Sequence, residues 1–311
     1  MKKKVLITGA TGFIGKNFIN SLRDKFEIYA LLLNENEKKI IPQIEYILWE
    51  IFFNKDEEII TLSGKKVEKI DSVIHLASYG VNPKDNDIDK MIESNIGLTK
   101  NLILNLERVS CKNIIFTGSG FEYGDKGKMK LRENMELNPF SLYGTTKVSS
   151  FLIGKKLCEI LGINYINLRL FNIFGEHEGD NRLIPQIIKN YLSGNKLNLT
   201  EGKQIRDYLY IKDIIEVYEM IIEKNIYNNE TYNVCSSEEI TIKEFIVKVA
   251  KIIGIDEESL NFGAIPTRKE EAMYIVGDNS KLKKDFNWNK KYSYEVGIKN
   301  MYEFFLRKEN K

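Results

Sequence analysis

The sequence predicts an α/β fold built on a doubly wound parallel sheet, and three observations carry that reading. Short apolar runs alternate with longer amphipathic stretches through the first half of the chain. A glycine-rich turn joins the first apolar run to the first amphipathic stretch. The length, 311 residues, allows about two domains at roughly 100–200 residues each.

The apolar runs Val5–Thr8, Glu27–Leu33, Tyr46–Glu50, Ser72–Ala77, Asn113–Thr117 and Asn164–Leu170 read as strands. Helices are expected at Gly12–Arg23, Met91–Val109 and Ser141–Leu161. In the second of these, Ile92, Ile96, Leu102/Ile103 and Leu106 recur at three- and four-residue spacing. Beyond residue 170 the rhythm is less regular, with helices expected at Leu183–Leu192, Ile211–Lys224 and Ile242–Ile253. No Pro- or Gly-rich linker divides the chain. The expected organisation is therefore residues 1–170 as a Rossmann-type nucleotide-binding domain and 171–311 as a smaller C-terminal substrate-binding α/β lobe, with a strand near 231–234 returning to the sheet.

Composition narrows the function. Lys and Arg number 46 against 44 Asp and Glu, for a net charge of +2, which argues against a nucleic-acid or membrane-surface partner. Cys111, Cys158 and Cys235 form no CxxC pair or even-numbered framework, which fits a reducing cytoplasm. His75 and His177 are the only histidines, too few for a His-rich metal site. No signal peptide or membrane span is expected.

In Thr8-Gly9-Ala10-Thr11-Gly12-Phe13-Ile14-Gly15, the glycines let the backbone turn tightly and approach a pyrophosphate. The helix that follows directs its N-terminal dipole at the phosphates. An Asp or Glu at the end of the second strand would select NAD; Leu33-Asn34 stands there instead, with Lys38 and Lys39 close behind. The coenzyme expected is NADP(H) or NAD(H), with a lean to NADP(H).

Tyr143 and Lys147 are four apart at the start of a predicted helix and share a face. A free tyrosine, with a pKa of about 10, is poorly matched to proton transfer at neutral pH. A neighbouring ammonium favours the phenolate. Ser119, after the strand Asn113–Thr117, can hold a substrate oxygen while Tyr143 exchanges the proton.

The glycine fingerprint, Val73-Ile-His-Leu-Ala77-Ser78, the Ser119 segment and Tyr143-x-x-x-Lys147 together resemble the extended short-chain dehydrogenase/reductase family, in its nucleotide-sugar epimerase/dehydratase/4-ketoreductase branch. The resemblance implies Ser119, Tyr143 and Lys147 as the catalytic set. It implies a coenzyme held by Gly9, Thr11, Gly12, Phe13, Ile14, Gly15, Leu33, Asn34, Leu76, Ala77, Ser78, Asn95 and Thr117, with Tyr143 and Lys147. On the substrate side it implies Ser119, Tyr143, Asn172 and two diphosphate-binding arginines, Arg206 and Arg268. His177 either reaches the sugar or is solvated; His75 reads as packed structure. A homodimer through Met91–Val109 and Ser141–Leu161 is also implied.

The dehydratases of that branch carry an Asp-Glu pair after the catalytic hydroxyl residue, where this chain has Gly120 and Phe121. Dehydration is therefore rejected, with Glu122 the one weak substitute base. The favoured reaction is NAD(P)H-dependent reduction of a nucleotide-linked 4-keto-6-deoxy sugar. A 4-epimerase with tightly bound NAD is the alternative, and an inactive NAD(P)-sensing protein a remote third. The segments Gly118–Gly124 and Ser78–Pro83 look more like the ketoreductases.

Overall fold

A computed structural model describes residues 1–35, 44–82, 85–267 and 271–309. Lys38, Lys39, Pro83 and Arg268, singled out above, lie outside the described residues.

The strands β1 (Lys4–Thr8), β2 (Glu27–Leu32), β3 (Glu45–Leu48), β4 (Ser72–His75), β5 (Asn113–Ser119) and β6 (Asn164–Leu170) belong to one parallel sheet. Short strands follow: β7 (Asn172–Phe174), β8 (Leu197–Leu199), β9 (Ile205–Arg206) and β10 (Tyr208–Tyr210). Then β11 (Thr231–Val234) returns to pair in parallel with β6. Last come β12 (Ile240–Thr241), β13 (Leu260–Phe262) and β14 (Tyr274–Ile275). The seven-stranded sheet runs β11-β6-β5-β4-β1-β2-β3. Its order reverses between β1 and β4, and a ligand crevice is expected there, beyond the carboxyl ends of the strands.

The helices are α1 (Phe13–Leu22), α2 (Trp49–Phe53), α3 (Ile88–Ile92), α4 (Leu98–Asn105), α5 (Leu142–Leu161), α6 (Leu183–Leu192), α7 (Ile211–Lys224), α8 (Ile242–Ile253), α9 (Ser280–Phe286) and α10 (Tyr294–Glu309). Side-chain alternation in the strands feeds two cores. Val5 and Ile7 of β1 join one cluster with α1 and α7; Leu6 joins the other with α4 and α5.

Two expectations need correction. The run Tyr46–Glu50 is a strand only to Leu48; Trp49 opens α2, whose Phe52 fills the core while Trp49 packs edge-on against Phe53. The helix expected over Met91–Val109 starts at Ile88 and is broken by a π-turn at Glu93–Gly97. That turn carries Asn95 into the interior, where polar partners meet it. The lobe outside the sheet pairs β7 with β10, β8 with β13, and β9 with β12 and β14. An aromatic cluster of Phe174, Tyr208, Phe245 and Tyr294 joins it to α8 and α10.

Glycine fixes the nucleotide-binding end. Gly9 has φ +68°, and a Cβ there would lie 2.7 Å from the Ala77 nitrogen after β4. A Cβ at Gly15 would lie 2.5 Å from the Gly9 oxygen. Gly15→Ala is therefore expected to push α1 off the turn and cost about 1–3 kcal/mol of stability, read as a lower urea midpoint; an unchanged midpoint would mean the turn can yield.

Candidate functional site

Gly12 precedes α1, and its N–H bonds the Gly9 carbonyl at 3.0 Å. No side chain caps α1 and its first turn holds no acid, so the amides after Gly12 are left to an external acceptor. Thr11, Phe13 and Ile14 line this opening half-buried, and Gly12 is exposed. Leu76, Ala77 and Ser78 follow β4 directly across from Gly9. Leu33 is exposed at the end of β2, with Asn34 beside it. These residues fit a dinucleotide pyrophosphate: a cradle without Cβ atoms, with unsatisfied amides pointing into it.

Behind the cradle runs a chain of hydroxyls centred on His75. Thr99 Oγ1 lies 2.7 Å from the Asn95 carbonyl and must donate to it. Its lone pairs therefore accept from His75 Nε2–H at 2.8 Å and from Ser150 Oγ–H at 2.7 Å. That fixes the tautomer, so His75 Nδ1 accepts from Thr8 Oγ1 at 2.8 Å, and Thr8 Oγ1 accepts the Ala77 N–H. Burial, then the Lys147 charge, holds His75 neutral with a pKa of about 3. The imidazole ties the glycine loop to α4 and α5; it does no proton chemistry.

Asn95 is a second clamp. Its Oδ1 accepts from Ser78 Oγ and the Tyr79 N–H, at 3.1 and 2.8 Å. Its Nδ2 donates to the Tyr79 carbonyl and to Thr146 Oγ1, at 3.0 and 2.9 Å. All four hydrogen-bonding sites of the amide are used. Its role is to join the loop after β4 to the first turn of α5.

That turn carries Tyr143. Ser141 caps α5 by accepting from the Gly144 N–H. A Cβ on Gly144 would lie 2.9 Å from the Phe121 carbonyl, so glycine beside Tyr143 lets α5 close on the turn after β5. Burial pushes the Tyr143 phenol up to about 12; a Ser78 hydrogen bond lowers it, Glu122 raises it and Arg182 lowers it again. The phenol is thus raised rather than depressed as expected; Lys147 lines a small cavity with His75, Thr117, Ser150 and Asn167. Burial holds the Lys147 ammonium below its usual value, against the Glu122 charge.

Ser119 ends β5, buried, with its hydroxyl accepting from the Phe121 N–H at 3.2 Å. Glu122, fully buried, accepts from the Ser119 N–H at 2.7 Å and pairs with Arg169 Nε at 2.7 Å. It has no oxygen to spare as a base. Thr117 bonds the Tyr218 hydroxyl at 2.7 Å, on α7.

On the lobe side, both the N–H and Nδ2 of Asn172 reach the Asp207 carbonyl at 3.2 Å. The Asp207 carboxylate collects the N–H and hydroxyl of Ser236 and the N–H groups of Ser237 and Gly277. Arg206, on β9, is buried and paired with Glu271 at 3.2 Å. His177 packs against Phe304, ring centres 4.4 Å apart, with Nε2 3.0 Å from Asn20; that places it on the α1–α10 side.

Sequence reasoning missed Arg182 and Glu178. Arg182 stands at the start of α6, and its charge lowers the phenol pKa of both Tyr143 and Tyr208 against the larger effect of burial. Glu178 lies 3.6 Å from it, and burial raises that carboxyl to about 7. The only signal for the pair was their i, i+4 spacing.

A profile of the NAD dependent epimerase/dehydratase family matches residues 5–235. A CDP-abequose synthase of Salmonella muenchen is 28% identical over 305 residues, covering 97% of both chains. A UDP-glucose 4-epimerase of Lactobacillus helveticus is 26% identical over 314 residues, 93% of this chain and 92% of its own. Among solved structures, the UDP-N-acetylglucosamine 4-epimerase of Methanobrevibacter ruminantium M1 superposes with a TM-score of 0.84 at 24% identity, covering 99% of this chain and 100% of that one. The family is NAD dependent, and the lean to NADP(H) finds no support in it.

The His75 environment predicts an acid-sensitive fold. Between pH 6.5 and about 3 the unfolded chain takes up a proton that folded His75 refuses. Stability should therefore fall by about 1.4 kcal/mol per pH unit as the solution is acidified through that window. Urea midpoints measured stepwise should show this slope, and His75→Gln, although less stable throughout, should lack that component.

Proposed function

The chain belongs to the NAD dependent epimerase/dehydratase family, and from that premise we propose that it reduces a nucleotide-linked 4-keto-6-deoxy sugar to the 4-hydroxy sugar with NAD(P)H. One observation carries the reading. The carboxylate nearest Ser119 is spent on Arg169 and on a backbone amide, while Tyr143 keeps its proton at neutral pH. Water elimination needs a free acid and base beside the hydroxyl residue, and Gly120, Phe121 and a sequestered Glu122 supply neither. Carbonyl reduction needs a protonated donor, which is the resting form of Tyr143.

Ser119 holds the sugar carbonyl oxygen and Tyr143 delivers the proton to it, with Lys147 beneath. The coenzyme, when bound, supplies the hydride; the α1 amides, Gly9 and the Leu76–Ser78 segment would hold it. Arg206, with Arg268, offers guanidinium forks to the nucleotide diphosphate, and Glu271 must release Arg206 for that contact. Residues 1–170 form the coenzyme domain and 171–311 most of the nucleotide-sugar lobe. With such substrates the enzyme works in the cytoplasm; among the described residues no helix is long and apolar enough to cross a membrane.

The second reading is a 4-epimerase, favoured by the UDP-glucose 4-epimerase relative. An inactive sensor is disfavoured because Ser119, Tyr143 and Lys147 are all present. A panel of nucleotide 4-keto-6-deoxy sugars, assayed with NADH and NADPH in parallel, separates them. Stoichiometric coenzyme loss is expected, reduced by about 10²–10⁴-fold in Tyr143→Phe. Interconversion of hexoses at carbon four without net coenzyme loss would establish the epimerase.

We also propose a homodimer through α3, α4 and α5. Ile92 and Leu104 on one side, and Leu152, Ile153 and Ile160 on α5, are exposed apolar side chains, more than a solvated helix pair needs. Light scattering should give a dimer for the native chain and a folded monomer for the double variant Leu152→Glu, Ile153→Glu. A native monomer would remove the proposal.

A further inference from the structure

A small cavity of about 10 Å³ is lined by His75, Thr117, Lys147, Ser150 and Asn167 with neighbouring aromatic rings. That is about the space one water centre needs, and an ordered internal water typically makes about three hydrogen bonds. Three groups around this cavity have complementary demands. Asn167, on β6, is fully buried, and its Oδ1 has no partner. Its Nδ2 is directed elsewhere, 3.4 Å from Thr231 Oγ1. Ser150 spends its proton on Thr99, whose own proton goes to the Asn95 carbonyl, so the lone pairs of Ser150 Oγ remain to accept. Lys147 brings three N–H donors and no acceptor.

We propose that one ordered water occupies this cavity, accepting from Lys147 Nζ and donating to Asn167 Oδ1 and Ser150 Oγ, and that Asn167 is thereby a positioning residue for Lys147. This accounts for an asparagine in the middle of a buried strand, where an unpaired amide oxygen costs free energy that an apolar side chain would not. A lysine chain has four carbons and much rotamer freedom; a water bridged to β6 and to the next turn of α5 restricts its ammonium. His75 adds nothing to the bridge, since both its nitrogens are engaged. The positioning role rests on reading Lys147 as part of the catalytic set, whereas the water site does not.

A crystal structure of the native protein, at a resolution that resolves waters, tests the site directly. Density at about 2.6–3.2 Å from Lys147 Nζ, Asn167 Oδ1 and Ser150 Oγ is expected. A dry cavity overturns the proposal, whatever reaction the enzyme performs. The positioning role is read from the pH profile of kcat. In Asn167→Leu, which removes the acceptor, the lysine limb should move to lower pH and kcat fall about tenfold. In Asn167→Asp, where a carboxylate favours the ammonium, the limb should move to higher pH. A folded Asn167→Leu variant with an unmoved profile would leave Asn167 a packing residue only.

Discussion

The buried ion pair between Glu122 and Arg169 is the constraint on which the rest of the site depends. Both side chains are almost wholly out of water, at 0% and 4% exposure. Removing either partner would strand a charge, at a cost of about 3–5 kcal/mol. The pair endures because its remaining valences are filled. Glu122 also holds the Ser119 amide, and Arg169 also reaches the Tyr123 hydroxyl, which donates to Asn233 on β11. Asn233 then donates to the Leu131 carbonyl. One connected polar network thus fixes the end of β5, where Ser119 stands, to β6, to the returning strand and to the loop beneath the lobe. Gly118 makes it possible, since a Cβ there would lie 2.5 Å from Glu122 Oε1.

That network also decides how Glu122 is used. A carboxylate three residues beyond Ser119 looks, in one dimension, like a spare base. In three dimensions it is a capping group, reaching back to the Ser119 amide in a capping box. Tyr143, by contrast, is held protonated chiefly by burial.

A second network, of neutral groups, frames the coenzyme end. The Thr8–His75–Thr99–Ser150 ladder and the Asn95 clamp run from the glycine turn to the helix of Tyr143 and Lys147. Each member has its donors and acceptors assigned, so the loops after β1 and β4 are preorganised rather than waiting for a ligand to shape them. The π-turn in the α3–α4 helix is part of this: it places Asn95 where a regular helix would not.

By itself the sequence determined the parallel sheet and the tight glycine turn after β1, and it singled out Ser119, Tyr143 and Lys147 as a candidate set. These follow from local rules: burial of a strand on both faces, glycine where backbones must touch, and four-residue spacing on a helix. Strand β6 and helices α6, α7 and α8 were legible to the residue because their apolar periodicity starts and stops abruptly. Trp49 and the π-turn were not, because propensity there is overridden by packing. Only the tertiary structure decided what each polar side chain is bonded to. Glu122 was given to Arg169 and Arg206 to Glu271, by pairings between residues 47 and 65 positions apart in the chain. Long-range partners of flexible charged side chains leave no periodic trace in a sequence; the geometry of the sheet and lobe brings them together.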